Sequence, residues 1–330
     1  SIYQHENMPL AIQAISVRTS FMQRLPGVRR HHRKFFPLYP LAFQSFDLRD
    51  YDLVVTNTQG FANGVRVSPE GESICYCLTP MRWAWNTEEY VSREGVGGLA
   101  RSLSKPVMRV VRAWDRRAAR RMRHFIGISS AVAGRIKKAY GRDATVIYPP
   151  VEVRQHHVAP PGEVGDYFLV VSRLAPYKRI DLAVQACTRL NLPLVVIGAG
   201  RDRAKLEAMA GPTVTFLGFM SDEVTREHYA RCKAFLFPGE EDFGISPLEA
   251  QASGRPAIAY AAGGALDTVK PGETGEWFPE QTVEALAAVL ASFDPTRYDP
   301  VRIRQHAMQF DSAVFKQRMG DFVQGVMDGA

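Results

Sequence analysis

The chain has 330 residues, of which 46% are hydrophobic and 23% charged, with a net charge of +7. That composition belongs to a globular protein long enough for two domains, and excludes a disordered, collagen-like or disulfide-scaffold chain. No apolar run is long enough to span a bilayer, and no secretory signal opens the sequence.

The charge is unevenly spread. Residues 1–150 hold 23 Lys+Arg against 11 Asp+Glu, a balance of +12, and residues 151–330 hold 18 against 23, a balance of −5. A basic first domain and a mildly acidic second one follow. Cys75, Cys77, Cys187 and Cys232 lie in apolar contexts without ligand spacing. They read as reduced buried thiols, and no metal site is expected.

Residues 1–50 read as irregular and rich in Arg, His, Phe and Pro. Arg29, Arg30, Arg33 and Lys34 form a cationic run beside Phe35, Phe36 and Tyr39. Cations with neighbouring aromatics fit an anionic membrane surface, whereas no nucleic-acid-binding motif accompanies them. Strands are expected at 52–56 and 73–76. The second delivers Leu78, Thr79 and Pro80 to its carboxyl end. A helix is expected over 98–123, with Val107, Val110, Val111, Trp114 and Ala118 at helical spacing. Nine Lys+Arg against one acid from Arg101 to Arg123 make it a second membrane-facing candidate. A strand at 124–128, a helix at 130–140 and a strand at 145–148 complete a domain over 1–150. Residues 151–164 read as a linker.

From 165 to 299 strand and helix alternate. Strands are expected at 167–172, 194–197, 214–217, 234–237, 257–260 and 276–278. Helices are expected near 180–190, 201–210, 221–231, 247–253 and 282–293. Such alternation predicts a parallel, doubly wound sheet. Gly198-Ala-Gly200 after a strand reads as a weak nucleotide-side turn, because Arg203 stands where the dinucleotide fingerprint has its third glycine. Residues 300–330 read as a helical tail.

Two stretches carry the chemistry. Arg173 and Lys178 leave the carboxyl end of the 167–172 strand; a guanidinium fork and an ammonium suit a diphosphate. Gly239-Glu-Glu-Asp-Phe-Gly-Ile-Ser-Pro-Leu-Glu-Ala250 follows the 234–237 strand and opens a helix, with Ser246 as its expected N-cap. Free amides at Phe243, Gly244 and Ile245 would favour an anion. Glu241 on the loop and Glu249 on the helix are far enough apart for separate tasks.

Together, Arg173…Lys178 as Arg-x4-Lys and Glu241…Glu249 as Glu-x7-Glu resemble the retaining glycosyltransferases of family four, with the GT-B fold. Phe216-Leu-Gly218, Pro247–Pro256 and Ala262–Thr268 share the resemblance. Tyr76–Trp85 is similar to stretches in bacterial O-antigen and exopolysaccharide mannosyltransferases. The resemblance implies an α/β chain of two Rossmann-like domains facing a cleft, with the C-terminal helix returning to the first. It implies hexose transfer with retention, without cofactor or metal, from a nucleotide-diphosphate sugar, with GDP-mannose suspected. The acceptor would be a polyprenyl-diphosphate-linked or other saccharide, at the inner face of the cytoplasmic membrane. Glu241 would be catalytic, Arg173, Lys178, Phe243, Gly244 and Ile245 would hold the diphosphate, and Glu249 the ribose. Leu78, Thr79 and Pro80 would lie on the sugar side.

The chain departs from the family pattern twice. Its opening strand and Gly-rich loop are expected to be missing, leaving the first domain incomplete. Leu78 stands where relatives carry a sugar-contacting His. A truncated or non-catalytic nucleotide-sugar binder, or a GT-B sugar-nucleotide epimerase, are the alternatives.

Overall fold

The structure, a computed structural model, describes residues 12, 15–85 and 98–329. Residues 1–11 and 13–14 of the stretch read as irregular lie outside the described residues, as do the side chains of Arg33, Arg101 and Lys105. The chain divides into two compact units. One comprises Ser1–Gly127, Val132–Thr145 and Gly325–Ala330, the other Ile128–Ala131 and Val146–Gln324.

The first unit holds two sheets. In the smaller, β1 (Asp47–Leu48) pairs in parallel with β3 (Arg66–Val67). In the larger, the order is β2 (Leu53–Thr58), β4 (Glu72–Cys77), β5 (His124–Gly127) and β6 (Thr145–Val146), with β2, β4 and β5 parallel. Every residue of β4 is buried, as a strand covered on both faces requires. Cys75 and Cys77 lie within it as free thiols. Residues 21–44, expected to be irregular, instead form short helices at Phe21–Arg24, Val28–His31, His32–Leu38 and Tyr39–Gln44. Tertiary packing overrides weak local propensity here. Met22, Val28 and Ala42 form a small core of their own, and Phe36 and Tyr39 pack on Phe61.

Helix α1 (Gly98–Ala119) and the turn after it carry the dense arginine run, part of which bonds to groups of the protein itself. Arg112 Nε donates to the Ala84 carbonyl at 2.5 Å, and Arg116 Nε to Ala139 at 3.1 Å. The Arg116 guanidinium also lies 4.8 Å from the centre of the Trp85 ring. Arg121 reaches the Gly64 carbonyl at 3.4 Å, and Arg123 reaches Glu72 and the Pro69 carbonyl, each at 2.5 Å. Five rigid donors on a long stem let an arginine satisfy carbonyls at element ends, which composition cannot distinguish from a solvated cation. Arg109, Arg117 and Arg120 are exposed, as are Val107 and Val110.

Inside this unit Asp115 is fully buried. Trp85 Nε1 and the Tyr140 hydroxyl each donate to its Oδ2 at 2.8 Å. Burial pushes its carboxyl up to about 6, against those two hydrogen bonds.

The second unit is built on a six-stranded sheet. Its strands are β7 (Phe168–Val171), β8 (Leu194–Ile197), β9 (Val214–Gly218), β10 (Ala234–Phe237), β11 (Ala257–Tyr260) and β12 (Gly275–Phe278). The order is β12-β11-β10-β7-β8-β9, and every pairing is parallel. Phe168, Val170 and Leu236 face one core cluster, and Leu169, Phe235 and Phe237 the other. This is the period-two alternation of a sheet covered on both faces. The covering helices include α3 (Ile180–Arg189), α5 (Asp222–Arg231), α6 (Ile245–Ala252) and α7 (Val283–Ser292), with the short α4 (Arg203–Ala208) between α3 and α5, while α2 (Ser130–Tyr140) lies mostly in the first unit.

Two local expectations change. Helix α6 starts at Ile245, and its N-cap position is Gly244 at φ 98°, not Ser246. A left-handed glycine turns the chain directly into the helix, so Ser246 lies in the first turn. The stretch 154–164 packs within the second unit: His156 and Ala159 are buried, and His156 Nδ1 lies 3.0 Å from Ser253 Oγ. The tail forms α8 (Pro300–Ala307) and α9 (Ser312–Asp328).

Candidate functional site

The strand order has one reversal. From β7 the chain moves outward through β8 and β9, then returns to the other side of β7 with β10. Ligands of open α/β sheets bind outside the carboxyl ends of the strands at such a reversal. The loops that follow β7 and β10 are the two motif-bearing stretches, so the topology places Arg173 and Lys178 beside Glu241 and the start of α6.

Backbone contacts fix these loops. The Leu174 amide donates to Ala199 at 2.9 Å, and the Asp202 amide to Leu174 at 3.2 Å. A Cβ at Gly200 would lie 2.0 Å from the Leu174 carbonyl oxygen. Gly200 is therefore required by loop-on-loop packing, which accounts for the Gly198-Ala-Gly200 turn without a ligand. On the other side, the Gly264 amide donates to the Glu241 carbonyl at 2.8 Å. A Cβ on Gly264 would come within 2.2 Å of Phe243 Cα.

Within this frame the charges pair. Lys178 Nζ bonds to Glu241 Oε1, and both side chains are largely covered, at 18% and 23% exposure. Tyr177 stands between the cations. Its hydroxyl accepts from Arg173, and its ring centre lies 5.6 Å from the Arg173 guanidinium and 5.4 Å from Lys178 Nζ. The Phe243 ring is buried, stacked on Tyr148 at 5.6 Å and packed on Phe310 at 5.9 Å. The backbone amides of Phe243, Gly244 and Ile245 make no hydrogen bond among the described residues. With the dipole of α6 they present a partial positive charge. Ile245 itself is exposed.

Glu249 sits one turn into α6. Its Oε2 accepts a 2.8 Å bond from the Tyr229 hydroxyl on α5. Burial raises its carboxyl above the ordinary value, with the Tyr229 bond acting the other way. Tyr177 and Tyr229 are the residues sequence reasoning missed. Tyr177 lay inside the Arg-x4-Lys spacing and could have been singled out; nothing local marked Tyr229, which reaches Glu249 only across two helices.

The remaining sequence candidates belong to the first unit, at the carboxyl end of β4. The Leu78 amide donates to Thr58 at 2.8 Å. Thr79 and Pro80 are buried, and Thr79 Oγ1 has no hydrogen-bond partner among the described residues. No group of three metal-ligating side chains occurs among the described residues.

Residues 154–307 match the family model for glycosyl transferases group 1. A GDP-mannose-dependent alpha-mannosyltransferase of Mycolicibacterium smegmatis is 42% identical over 106 residues, covering 32% of this chain and 28% of that protein. A glycogen synthase of Deinococcus deserti is 37% identical over 135 residues, covering 38% and 30%. The chain thus spans less than a third of the length of these curated relatives. Among solved structures, sucrose-phosphate synthase from Thermosynechococcus elongatus superposes with a TM-score of 0.71 at 19% identity, covering 96% of this chain and 84% of that one. Anabaena Alr3699/HepE in complex with UDP-glucose gives 0.65 at 19% identity, covering 88% and 82%. The chain thus shares the GT-B-like fold of these structures, and the match to glycosyl transferases group 1 lies in its residues 154–307.

Proposed function

We propose that the protein transfers a hexose from a nucleotide-diphosphate sugar with retention of anomeric configuration. The observation that carries this reading is the convergence of Arg173, Lys178 and the amides of Phe243, Gly244 and Ile245 at the reversal between β7 and β10. Two cations and a helix start can hold a diphosphate and stabilise it as it leaves, so the reaction asks for no metal. Glu249 takes the ribose hydroxyls, and Glu241 the transferring sugar near its reacting centre. The acceptor hydroxyl bonds to the anomeric carbon as the bond to the phosphate oxygen breaks, and its proton passes to that oxygen. The mannosyltransferase relatives support GDP-mannose as donor. The acceptor in this proposal is a lipid-linked saccharide.

Isothermal calorimetry with nucleoside diphosphates tests the donor site. Arg173→Ala and Lys178→Ala should each weaken binding by roughly 1.5–3 kcal/mol, the scale of a hydrogen bond to a charged group. Unchanged affinity in both variants would remove them from the site, and a strict Mg²⁺ requirement for binding would contradict the metal-free reading.

A lipid-linked acceptor brings the chain to a membrane surface. No helix among the described residues is long and apolar enough to cross one. Arg109, Arg117 and Arg120 beside the exposed Val107 and Val110, together with Arg29, Arg30 and Lys34, form the surface for anionic head groups. Sedimentation should find binding to anionic vesicles that weakens with salt, and Arg109, Arg117 and Arg120 replaced together by Ala should reduce it. Equal binding to neutral vesicles would sink this part of the proposal.

Leu78 supports a second reading. Its aliphatic side chain offers no hydrogen bond to a sugar, which fits a nucleotide-sugar binder without turnover. Hydrolysis and transfer assays with a panel of nucleotide sugars separate the two: tight binding with no turnover of any donor favours the binder.

A further inference from the structure

Glu249 cannot be an ordinary surface acceptor, because its carboxylate is held from behind. The Tyr229 hydroxyl donates to Glu249 Oε2 at 2.8 Å, and Tyr229 is 2% exposed. Ser246, one turn before Glu249 on α6, lies beside the Tyr229 hydroxyl. Edge-on to the Tyr229 ring, at 5.8 Å between centres, lies His156, which is tied to Ser253. We propose that Tyr229 is the positioning residue of the nucleotide site: it locks the Glu249 carboxylate by one oxygen and leaves the other to accept from a vicinal diol.

This inference rests on the donor-binding reading and specifies how that site recognises a ribonucleotide. An acid this buried favours its neutral form, and a neutral carboxyl can accept from a diol less well than a carboxylate. A hydroxyl donated to one oxygen favours the charged form. Tyr229 therefore has two effects, on orientation and on ionisation, and the second gives a signature that packing alone lacks.

The charged and titratable groups around the pair are few. Asp222, on the helix that carries Tyr229, opposes ionisation of Glu249. His156 is pushed down to about 4 by burial and by the charges of Arg226, Arg304 and His157, so it is neutral above that pH. Burial pushes the Cys232 thiol up to about 12. Glu249, whose carboxyl burial raises, is then the group of this cluster left to take up a proton as pH falls.

The test measures affinity against pH by calorimetry, with a ribonucleoside diphosphate and its 2′-deoxy analogue, for the natural chain and for Tyr229→Phe. Wild-type affinity for the ribonucleotide should fall as pH drops and Glu249 takes up a proton. In Tyr229→Phe that fall should move up by about one pH unit, a roughly tenfold loss at pH values below both midpoints. The 2′-deoxy analogue lacks the diol and should show little difference between the two proteins. Ser246→Ala, which keeps the phenol but removes the polar hydroxyl beside it, should shift the midpoint in the same direction by less, and serves if Tyr229→Phe is unstable. A natural chain that binds the ribonucleotide and discriminates against the 2′-deoxy analogue, with an unmoved midpoint in both variants, overturns the inference. A natural chain that binds no nucleoside diphosphate overturns the donor-site reading instead.

Discussion

Replacing Glu241 by Ala should lower the rate of sugar transfer by roughly 10²–10³-fold, the scale of removing one preorganised charged group from a reacting centre, while leaving nucleoside diphosphate binding intact or tighter. The asymmetry follows from the Lys178–Glu241 pair. A donor diphosphate must compete with the Glu241 carboxylate for the Lys178 ammonium. Removing the carboxylate leaves the cation wholly to the phosphate, so affinity should hold or rise even as transfer is lost. Lys178→Ala does the opposite: binding falls, and Glu241 is left largely covered without its partner, an arrangement that is costly in a protein interior. Calorimetry and a transfer assay on the same two variants separate these outcomes. A Glu241→Ala enzyme that keeps its rate within a few-fold would take Glu241 away from the reacting centre.

A larger effect on stability is expected at Gly264. The Cβ of an alanine there would meet Phe243 Cα and O at 2.2 Å, both of them backbone atoms that cannot rotate away. The loop bearing Phe243, Gly244 and Glu241 must shift as a whole. Overpacking of this kind costs about 3 kcal/mol or more, which for a unit of this size lowers Tm by roughly 6–12 °C. The same variant should lose nucleoside diphosphate binding, because the displaced stretch carries the free amides. Gly134, exposed in mid-helix with nothing within 4 Å of a built Cβ, is the control. Gly134→Ala should stabilise by about 0.5–1 kcal/mol, because glycine is the poorer helix former. Thermal unfolding of both proteins is the measurement. A Gly264→Ala chain that melts within a degree of the natural one would mean the loop yields where the structure leaves it no room.

Much of the second unit was legible in one dimension. Runs such as Leu194–Ile197, Ala234–Phe237 and Ala257–Tyr260 are continuous, apolar and flanked by turn residues, and all three are strands at those bounds. They are buried on both faces, so their pattern needs no partner to be recognised. The spacing of Arg173 to Lys178 and of Glu241 to Glu249 likewise survives as local chain geometry, because each motif lies within one short stretch that follows a strand.

Other features exist only through packing. Short helices in residues 21–44 are held by Met22, Val28 and Ala42 against each other rather than by their own propensity. Arg112, Arg116, Arg121 and Arg123 looked like free charge because the carbonyls and carboxylate they satisfy lie 20 to 60 residues away in sequence. Helix α6 begins at Ile245 because a left-handed backbone at its cap, Gly244, is compatible with the surrounding loops.

The sequence alone therefore determined the alternating architecture, the two charged motifs and the order in which they occur, since periodicity and residue type act over a few neighbours. The strand order that brings β10 beside β7, the ion pair of Lys178 with Glu241 and the bond from Tyr229 to Glu249 were decided by the tertiary structure. Each of those joins residues from different elements, and side-chain burial and hydrogen bonding become definite only once the sheet has assembled around them.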